Sequence, residues 1–527
     1  MSYQFRSLLI LLAGASFFSS SILSSSADGL LSSAVAMFRD KDYGEAYLLA
    51  KKSAESPQRS FLLGVSALRL GKAEDAFTLL VEAEQKLSLA ADYAALYQVE
   101  ALLKLKKYQE ASARAASFAK SYPTSLLLRR SEKLLADIFF EAGDFKGALR
   151  AFQFFVEKYP SGADSVDSLF HAARCREEVG DKAGAIQTYR NIWINNPAST
   201  QAKISHERLK EIEKGGFKTG TYSPEELLKR ASSLYSQNEF SASLKTLELL
   251  ALDAQPPAVA GRADLRAGMA HYRLRQYKQA EKFLARASGS SLPGVSSEAR
   301  FWMAKSLERQ NQNERALTLY MELAAEGKQQ EYADDALMEA AGLRRSLGLY
   351  ADAAILFEQV AKIHPESKFL TRSIWEAGWC RYLTGEYSAA VALFKGILKD
   401  VAQREKVLYW MARALENSGN ADAGSYYRML LDEYPAGFYA TWHRDQKGLK
   451  DTRESLGQRN ALAELPTAAG FEKPRLLASL GMLEEARAEM SVARKKAGDK
   501  KELFPVLSRI YLEMGEYGSA ISLFMQN

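Results

Sequence analysis

The sequence predicts an all-α fold, a solenoid of repeated helical hairpins. Three observations carry this. A short phrase recurs along the chain at near-constant spacing. Apolar residues follow a helical period, with no alternating runs of useful length. The 527 residues include only 13 Pro and 2 Cys, as in a fold that needs no staples and breaks its helices sparingly. Ordinary apolar content (47%) excludes a disordered chain. Two cysteines exclude a disulfide scaffold. A net charge of +6, from 70 Lys and Arg against 64 Asp and Glu, is too dilute to imply nucleic acid.

The recurring phrase is small turn residues, an acid or aromatic, then Ala. It reads GDFKGA (Gly143–Ala148), GDKAGA (Gly180–Ala185), RQYKQA (Arg275–Ala280) and GLYADA (Gly348–Ala353). It returns as GEYSAA (Gly385–Ala390), GMLEEA (Gly481–Ala486) and GEYGSA (Gly515–Ala520). Aligned on its last residue, it anchors at 46, 76, 111, 148, 185, 243, 280, 316, 353, 390, 423, 486 and 520. Ten of the twelve steps lie between 30 and 37 residues, which marks a repeat architecture.

Each anchor has characteristic surroundings. Twelve residues before it stands a small residue: Gly64, Ala136, Ala173, Ala231, Gly268, Ala304, Ala341 or Gly378. Four after it stands a larger one: Phe152, Tyr189, Leu284, Tyr320, Phe357 or Phe394. Twelve after it stands Pro123, Pro160, Pro197, Pro365 or Pro435. This pattern resembles the tetratricopeptide repeat, a helix–turn–helix of typically 34 residues. The small residue lets the first helix approach the second. The aromatic is expected to fill the space between consecutive pairs. Proline is expected to end the second helix and to suit the first turn of the next. Ala136, Ala148, Phe152, Pro160, Ala173, Ala185 and Pro197 define this frame early in the chain; Ala341, Ala353, Phe357, Pro365, Gly378, Ala390 and Phe394 define it later. Along Ser367–Tyr382, Ile374, Trp375, Ala377, Gly378, Trp379 and Tyr382 cover one wide helical face.

Two steps are long, at 58 and 63 residues. They divide the chain into a repeat block at 28–212, a Gly-rich linker at 213–222 and a second block at 223–436. An irregular helical connection follows at 437–474, then a repeat pair at 475–527. Ser223-Pro224-Glu225-Glu226 restarts a helix, with Ser223 as N-cap and Glu226 closing a capping box. Residues 1–27 read as a cleaved secretory signal: Arg6, the apolar run Ser7–Phe18, then Ser25-Ser26-Ala27. That apolar run of 12 residues is short of the roughly 20 a membrane span needs. The expected location is a bacterial periplasm, for a mature chain that spans no membrane.

Chemistry-bearing residues are sparse. His206-Glu207 starts like a zinc-binding HExxH helix, but Lys210 stands where the second His belongs, so His206 reads as a solvated helix residue. Cys175 and Cys380 read as two separate core thiols. GGFKTG (Gly215–Gly220) does not match a phosphate loop. Trp193, Trp302, Trp375, Trp379, Trp410 and Trp442 read first as packing, with a sugar-stacking surface as the alternative. The basic runs Arg494–Lys496 and Lys500-Lys501 read as a solvated face. No catalytic, cofactor-binding or metal-ligating residue is assigned, and no cofactor is expected.

Two family resemblances suggest a role. Residues 121–200 resemble repeats of periplasmic envelope scaffolds, including outer-membrane assembly lipoproteins and Tol-associated proteins. A longer resemblance is to the N-terminal superhelical region of soluble lytic murein transglycosylases. It rests on YSPEELLKRASSLY (Tyr222–Tyr235), ARFWMAKSLER (Ala299–Arg309), YADDALMEAAGLRRSLGLYADA (Tyr332–Ala353) and SIWEAGWCRYLTGEYSAAVALFKGIL (Ser373–Leu398). VLYWMARALENSGNADA (Val407–Ala423), YPAGFYATWH (Tyr434–His443) and RLLASLGMLEEARAEM (Arg475–Met490) continue it in the same order. The resemblance implies a superhelix, open or ring-shaped, that positions peptidoglycan strands or a partner enzyme. That family's catalytic Glu-Ser and Gly-Leu-Met-Gln segment is not matched; Glu454-Ser455 lacks that context. The chain reads as stopping short of such a domain. Ile510, Tyr511, Ala520, Ile521, Leu523 and Phe524 are expected to form an apolar face covered by a partner or a missing domain. The alternative role is a protein–protein interaction scaffold in envelope assembly.

Overall fold

The computed structural model describes residues 26–250, 255–327, 331–449, 469–498 and 500–525. The signal-like segment 1–27, apart from the backbone of Ser26 and Ala27, lies outside the described residues, as do Glu454-Ser455 and the Phe524 side chain. Among the described residues there are 28 α-helices and no strand. Thr200–Lys214 and Phe438–Lys447 stand alone inside the two long steps; the others pair into thirteen hairpins, one per anchor. The fold is an all-α, tetratricopeptide-like arrangement of stacked hairpins.

Twelve of the thirteen hairpins turn the same way. The residue five before the anchor takes the left-handed conformation, as at Gly143 (φ 77°), Gly348 (φ 77°), Gly385 (φ 81°) and, without glycine, Arg275 (φ 61°); before Ala423 it is instead Gly419 (φ 71°), four residues ahead. Left-handed backbone reverses the chain and satisfies the last carbonyls of the first helix. At Gly143 the Asp144 N–H donates to the Phe139 carbonyl at 3.0 Å and the Gly143 N–H to Phe140 at 3.0 Å. Aromatic pairs bridge this turn edge-on: Phe38–Tyr43, Phe140–Phe145, Tyr235–Phe240, Tyr272–Tyr277 and Tyr382–Tyr387, with centroids 5.2–5.7 Å apart.

All thirteen anchors are buried, Ala423 being the most exposed at 9%. Ala136, Ala148 and Phe152 share a core cluster with Ala172 and Cys175 of the next hairpin. Ala341, Ala353 and Phe357 do the same with Ala377 and Cys380. Ala390 and Phe394 join Val407 and Met411, while Ala173 and Ala185 are fully buried. Cys175 and Cys380 are free, buried, and equivalent in register, each ten residues before its anchor. The prolines act differently from expectation. Pro160, Pro365, Pro123 and Pro435 lie two residues past a helix end, after a residue that has left the helical region, such as Tyr159 (φ −128°, ψ 77°). The next helices start several residues later, so these prolines stop helices without opening the following ones. Pro197 is buried beyond Lys182–Asn195.

The chain forms two compact units: residues 1–189 with 459–527, and residues 190–458. In the first, the last two hairpins pack into the same core as the first three. Phe61, Leu62, Tyr93 and Tyr97 share it with Phe471, Leu480, Met490, Leu507, Ile510 and Leu523. Ile510, Ala520 and Leu523 are therefore buried at 1–2% exposure inside this unit, which corrects the expectation of an uncovered terminal face; Ile521 remains 46% exposed. Polar groups clasp the same contact. The Lys473 ammonium sits 2.7 Å from Asp92 and 2.8 Å from Glu489. Tyr93 Oη donates to Glu489 (3.2 Å), Tyr97 Oη to Glu485 (3.4 Å), and Arg39 Nη2 to the Ala478 carbonyl (2.9 Å).

In the second unit the hairpin cores follow one another from Trp193 to Trp442. Residues 215–222 hold no helix but are tied down. Arg190 donates to the carbonyls of Thr219, Gly220 and Thr221 at 2.7–3.0 Å and lies 4.2 Å over Tyr222. The capping box forms: Glu226 N–H donates to Ser223 Oγ (3.2 Å) and Ser223 N–H to Glu226 Oε2 (2.7 Å).

Candidate functional site

The second unit gathers aromatic side chains from three successive non-paired or first helices. In Leu370–Leu383, Trp379 and Tyr382 are spaced by three residues, which places them on one face. Arg404–Asn417 contributes Tyr409 and Trp410, and Phe438–Lys447 contributes Phe438, Tyr439 and Trp442. The small residues Ala377 and Gly378 point instead into the hairpin core.

The rings form a continuous tract. Trp379 stacks on Tyr382 (5.5 Å, 8°) and meets Trp410 edge-on (4.5 Å, 72°). Trp410 meets Trp442 at 6.1 Å and 66°, and Trp442 meets Phe438 at 6.1 Å. Trp379, Tyr382, Trp410 and Trp442 are half-buried, and Phe438 is 71% exposed. Tyr409, 1% exposed, supports the tract from beneath by stacking on Trp442 at 4.9 Å.

Polar groups at its edge are already engaged. Asn417 Nδ2 donates to Tyr382 Oη (3.1 Å), and Tyr409 Oη donates to Gln446 Oε1 (3.3 Å). Arg381 pairs with Glu358 and Glu386 at 2.8 Å each. Glu416 pairs with Lys447 (2.8 Å) and Arg413 (3.4 Å) and accepts from Tyr427 Oη (2.9 Å). The Lys447 hydrogen bond holds the Glu416 carboxyl below its usual range.

The remaining tryptophans lie apart. Trp375 stacks on Phe394 of its own hairpin (5.1 Å, 28°), with the Lys406 ammonium of the next hairpin 3.7 Å from its ring centroid. Trp302 packs edge-on against Tyr272. Trp193 is layered with His206 (5.3 Å), Tyr222 (4.2 Å) and the Arg230 guanidinium (3.9 Å). His206 is thus half-buried and stacked, not solvated, and burial pushes its pKa down. Sequence reasoning judged each tryptophan singly. The signal it lacked was register: Trp379, Trp410 and Trp442 recur 31 and 32 residues apart, close to one repeat. In the first unit, Arg494 and Lys495 line an open cleft of about 530 Å³ with Arg487, whose guanidinium is paired with Glu516 and Glu484. Among the described residues no group of three or more His, Cys, Asp or Glu is placed to hold a metal, and no helix is long and apolar enough to cross a membrane.

Tetratricopeptide-repeat family models match residues 133–199, 303–368 and 406–436. No curated protein matches the chain. Among solved structures, yeast Tom70 is similar at 14% identity, covering 78% of this chain and 99% of that one, with a TM-score of 0.30. A tetratricopeptide repeat protein from Parabacteroides merdae is similar at 16% identity over 55% of this chain and 99% of that one, TM-score 0.27. The Cut9–Hcn1 hetero-tetramer of the APC/C is similar at 12% identity, covering 92% and 96%, TM-score 0.26.

Proposed function

We propose that this chain is a protein-binding scaffold of the cell envelope, without chemistry of its own, that docks a partner on the aromatic tract. The observation that carries the reading is the run of partly buried rings shared by three successive helices and ending in the exposed Phe438. Repeated hairpins supply the rigid frame, and the matches to tetratricopeptide-repeat models support a role in protein–protein interaction. The periplasmic location rests on the charge, apolar and small-residue pattern of residues 1–27. The test is affinity purification from envelope extract of the wild-type chain beside a Phe438→Asp, Trp442→Ala variant. Loss of one co-purifying protein in the variant supports the scaffold. An unchanged set of companions counts against the tract as its docking surface.

A second reading keeps the sequence resemblance to transglycosylase superhelices: the chain positions glycan strands. The partly buried tryptophan rings of the tract are the observation in its favour. The comparisons with known proteins lend it nothing. Retention of the chain on purified sacculi at low salt, abolished by the same double substitution, would favour it over the scaffold.

A further inference from the structure

We infer that the cleft of the first unit beside the helix Leu483–Ala497 is a binding site for a phosphate monoester. Its walls come first. Arg494 and Lys495 lie three and four residues after Ser491, and Arg487 four before it, so the four share one helix face. Tyr511 of Phe504–Glu513 and Ser519 of Tyr517–Met525 complete the lining with Glu516, which sits in the turn between those two helices. The volume of about 530 Å³ falls in the range of small-molecule sites, roughly 300–1,000 Å³. It leaves room for a phosphate and for the small alcohol it esterifies.

Charge then selects the ligand. Three cations and one carboxylate line the cleft. Arg487 is satisfied, with Nε 2.5 Å from Glu516 and Nη1 2.7 Å from Glu484. Arg494, which is half-buried, and Lys495 have no carboxylate partner among the described residues. The hydroxyls of Ser491, Tyr511 and Ser519 have no hydrogen-bond partner there either. The helix dipole accounts for cations in this last turn. It does not account for hydroxyls from three helices meeting those cations around one cleft. Two unopposed positive charges and five unused donor side chains call for a doubly charged ligand rich in acceptors. A phosphate monoester carries about −1.5 to −2 at pH 7 on three acceptor oxygens. The Arg494 fork suits two of those oxygens, and Lys495 adds a point charge. A carboxylate or a phosphodiester brings one negative charge and leaves one cation unmatched. Both cations rise from one helical turn, so a dianion centred on one atom fits better than a diacid with its charges apart.

The experiment titrates the full chain with glucose 6-phosphate, glucose and succinate in a calorimeter. Co-sedimentation with phosphatidylcholine vesicles doped with phosphatidic acid or with phosphatidylglycerol asks whether a lipid supplies the monoester. The expected result is saturable binding of glucose 6-phosphate, none of glucose, and succinate at least tenfold weaker. Arg494→Gln should weaken binding at least tenfold and Lys495→Gln several-fold. Arg509→Gln, at a guanidinium paired with Glu513 and outside the cleft, should change nothing. Neither Arg494 nor Lys495 holds another side chain, and the melting temperature verifies that each variant is folded. Binding to the phosphatidic acid vesicles alone, lost in Arg494→Gln, supports the site and assigns the monoester to a lipid. Binding of neither phosphate, equal binding of succinate or of the phosphatidylglycerol vesicles, or binding indifferent to both cleft substitutions overturns the inference.

Discussion

Gly378 lies directly under the ring of Phe394, sixteen residues on in the same hairpin: a methyl group there would stand 2.6 Å from Cε1 and 2.9 Å from Cδ1. The same closeness recurs at Gly268 over Leu284 (2.5 Å) and Gly64 over Leu80 (2.7 Å). The small residue and the residue four past the anchor thus meet within one hairpin, as well as stacking toward the next. Gly378→Ala gains helix propensity of about 1 kcal/mol but overpacks a ring that is fully buried, at a cost of about 1–3 kcal/mol. A lower melting temperature is expected. Gly342→Ala, in the neighbouring hairpin with nothing within 4 Å of its new methyl, should be neutral or stabilising. Equal effects at both positions would refute the packing account.

Lys473 neutralises Asp92 and Glu489, whose side chains are 7% and 11% exposed. Lys473→Met strands two carboxylates in a buried contact, a loss on the order of 3–5 kcal/mol. The C-terminal hairpins should then become sensitive to limited proteolysis under conditions that leave the wild type intact. Adding Asp92→Asn and Glu489→Gln should restore most of the resistance. No change in the single variant would show the clasp to be idle.

Burial pushes His171, His206 and His443 below the usual histidine value. His443 is 5% exposed and stacked on Tyr427 at 3.9 Å. A lowered folded pKa means the unfolded chain takes up protons first. Stability is therefore full above about pH 6.5 and declines as the pH falls from there toward the folded values. The melting temperature should drop between pH 7.5 and 5.5, and His443→Phe should flatten that slope. A steeper slope in the variant would contradict the sign.

Burial also pushes the Cys175 and Cys380 thiols up to about 11. Thiolate is the reactive form, so at pH 8 about one in a thousand is available even before access is considered. Neither should react with a disulfide reagent in the native chain, and both should react once unfolded. Because one sits in each compact unit, the two rates in rising denaturant should report each unit's opening separately. Rapid labelling of either in native buffer would be the contrary result.

The hairpins were legible because they are local. The anchor, the left-handed turn five residues earlier and the Ser223 cap are all settled within one repeat, and each leaves a mark in residue type. Lys473 with Asp92 was not legible, since nothing in either neighbourhood refers to a partner 381 residues away. The aromatic tract falls between these cases. Each ring is an ordinary amphipathic choice, and only stacking of consecutive helices makes Trp379, Trp410 and Trp442 one surface. The solitary helices Thr200–Lys214 and Phe438–Lys447 lack the phrase altogether, so a repeat search passes over them.

The shared core of the first unit has a consequence for synthesis. Phe61, Leu62 and Tyr93 are made early, yet Phe471, Met490 and Leu507, which help bury them, emerge last. Joining ends so far apart carries a chain-entropy cost of about 5 kcal/mol and slows folding. The nascent N-terminal hairpins must wait with part of their apolar surface bare, open to chaperones and proteases. Clipping a few dozen residues from the tail would for the same reason be felt at the head of the chain.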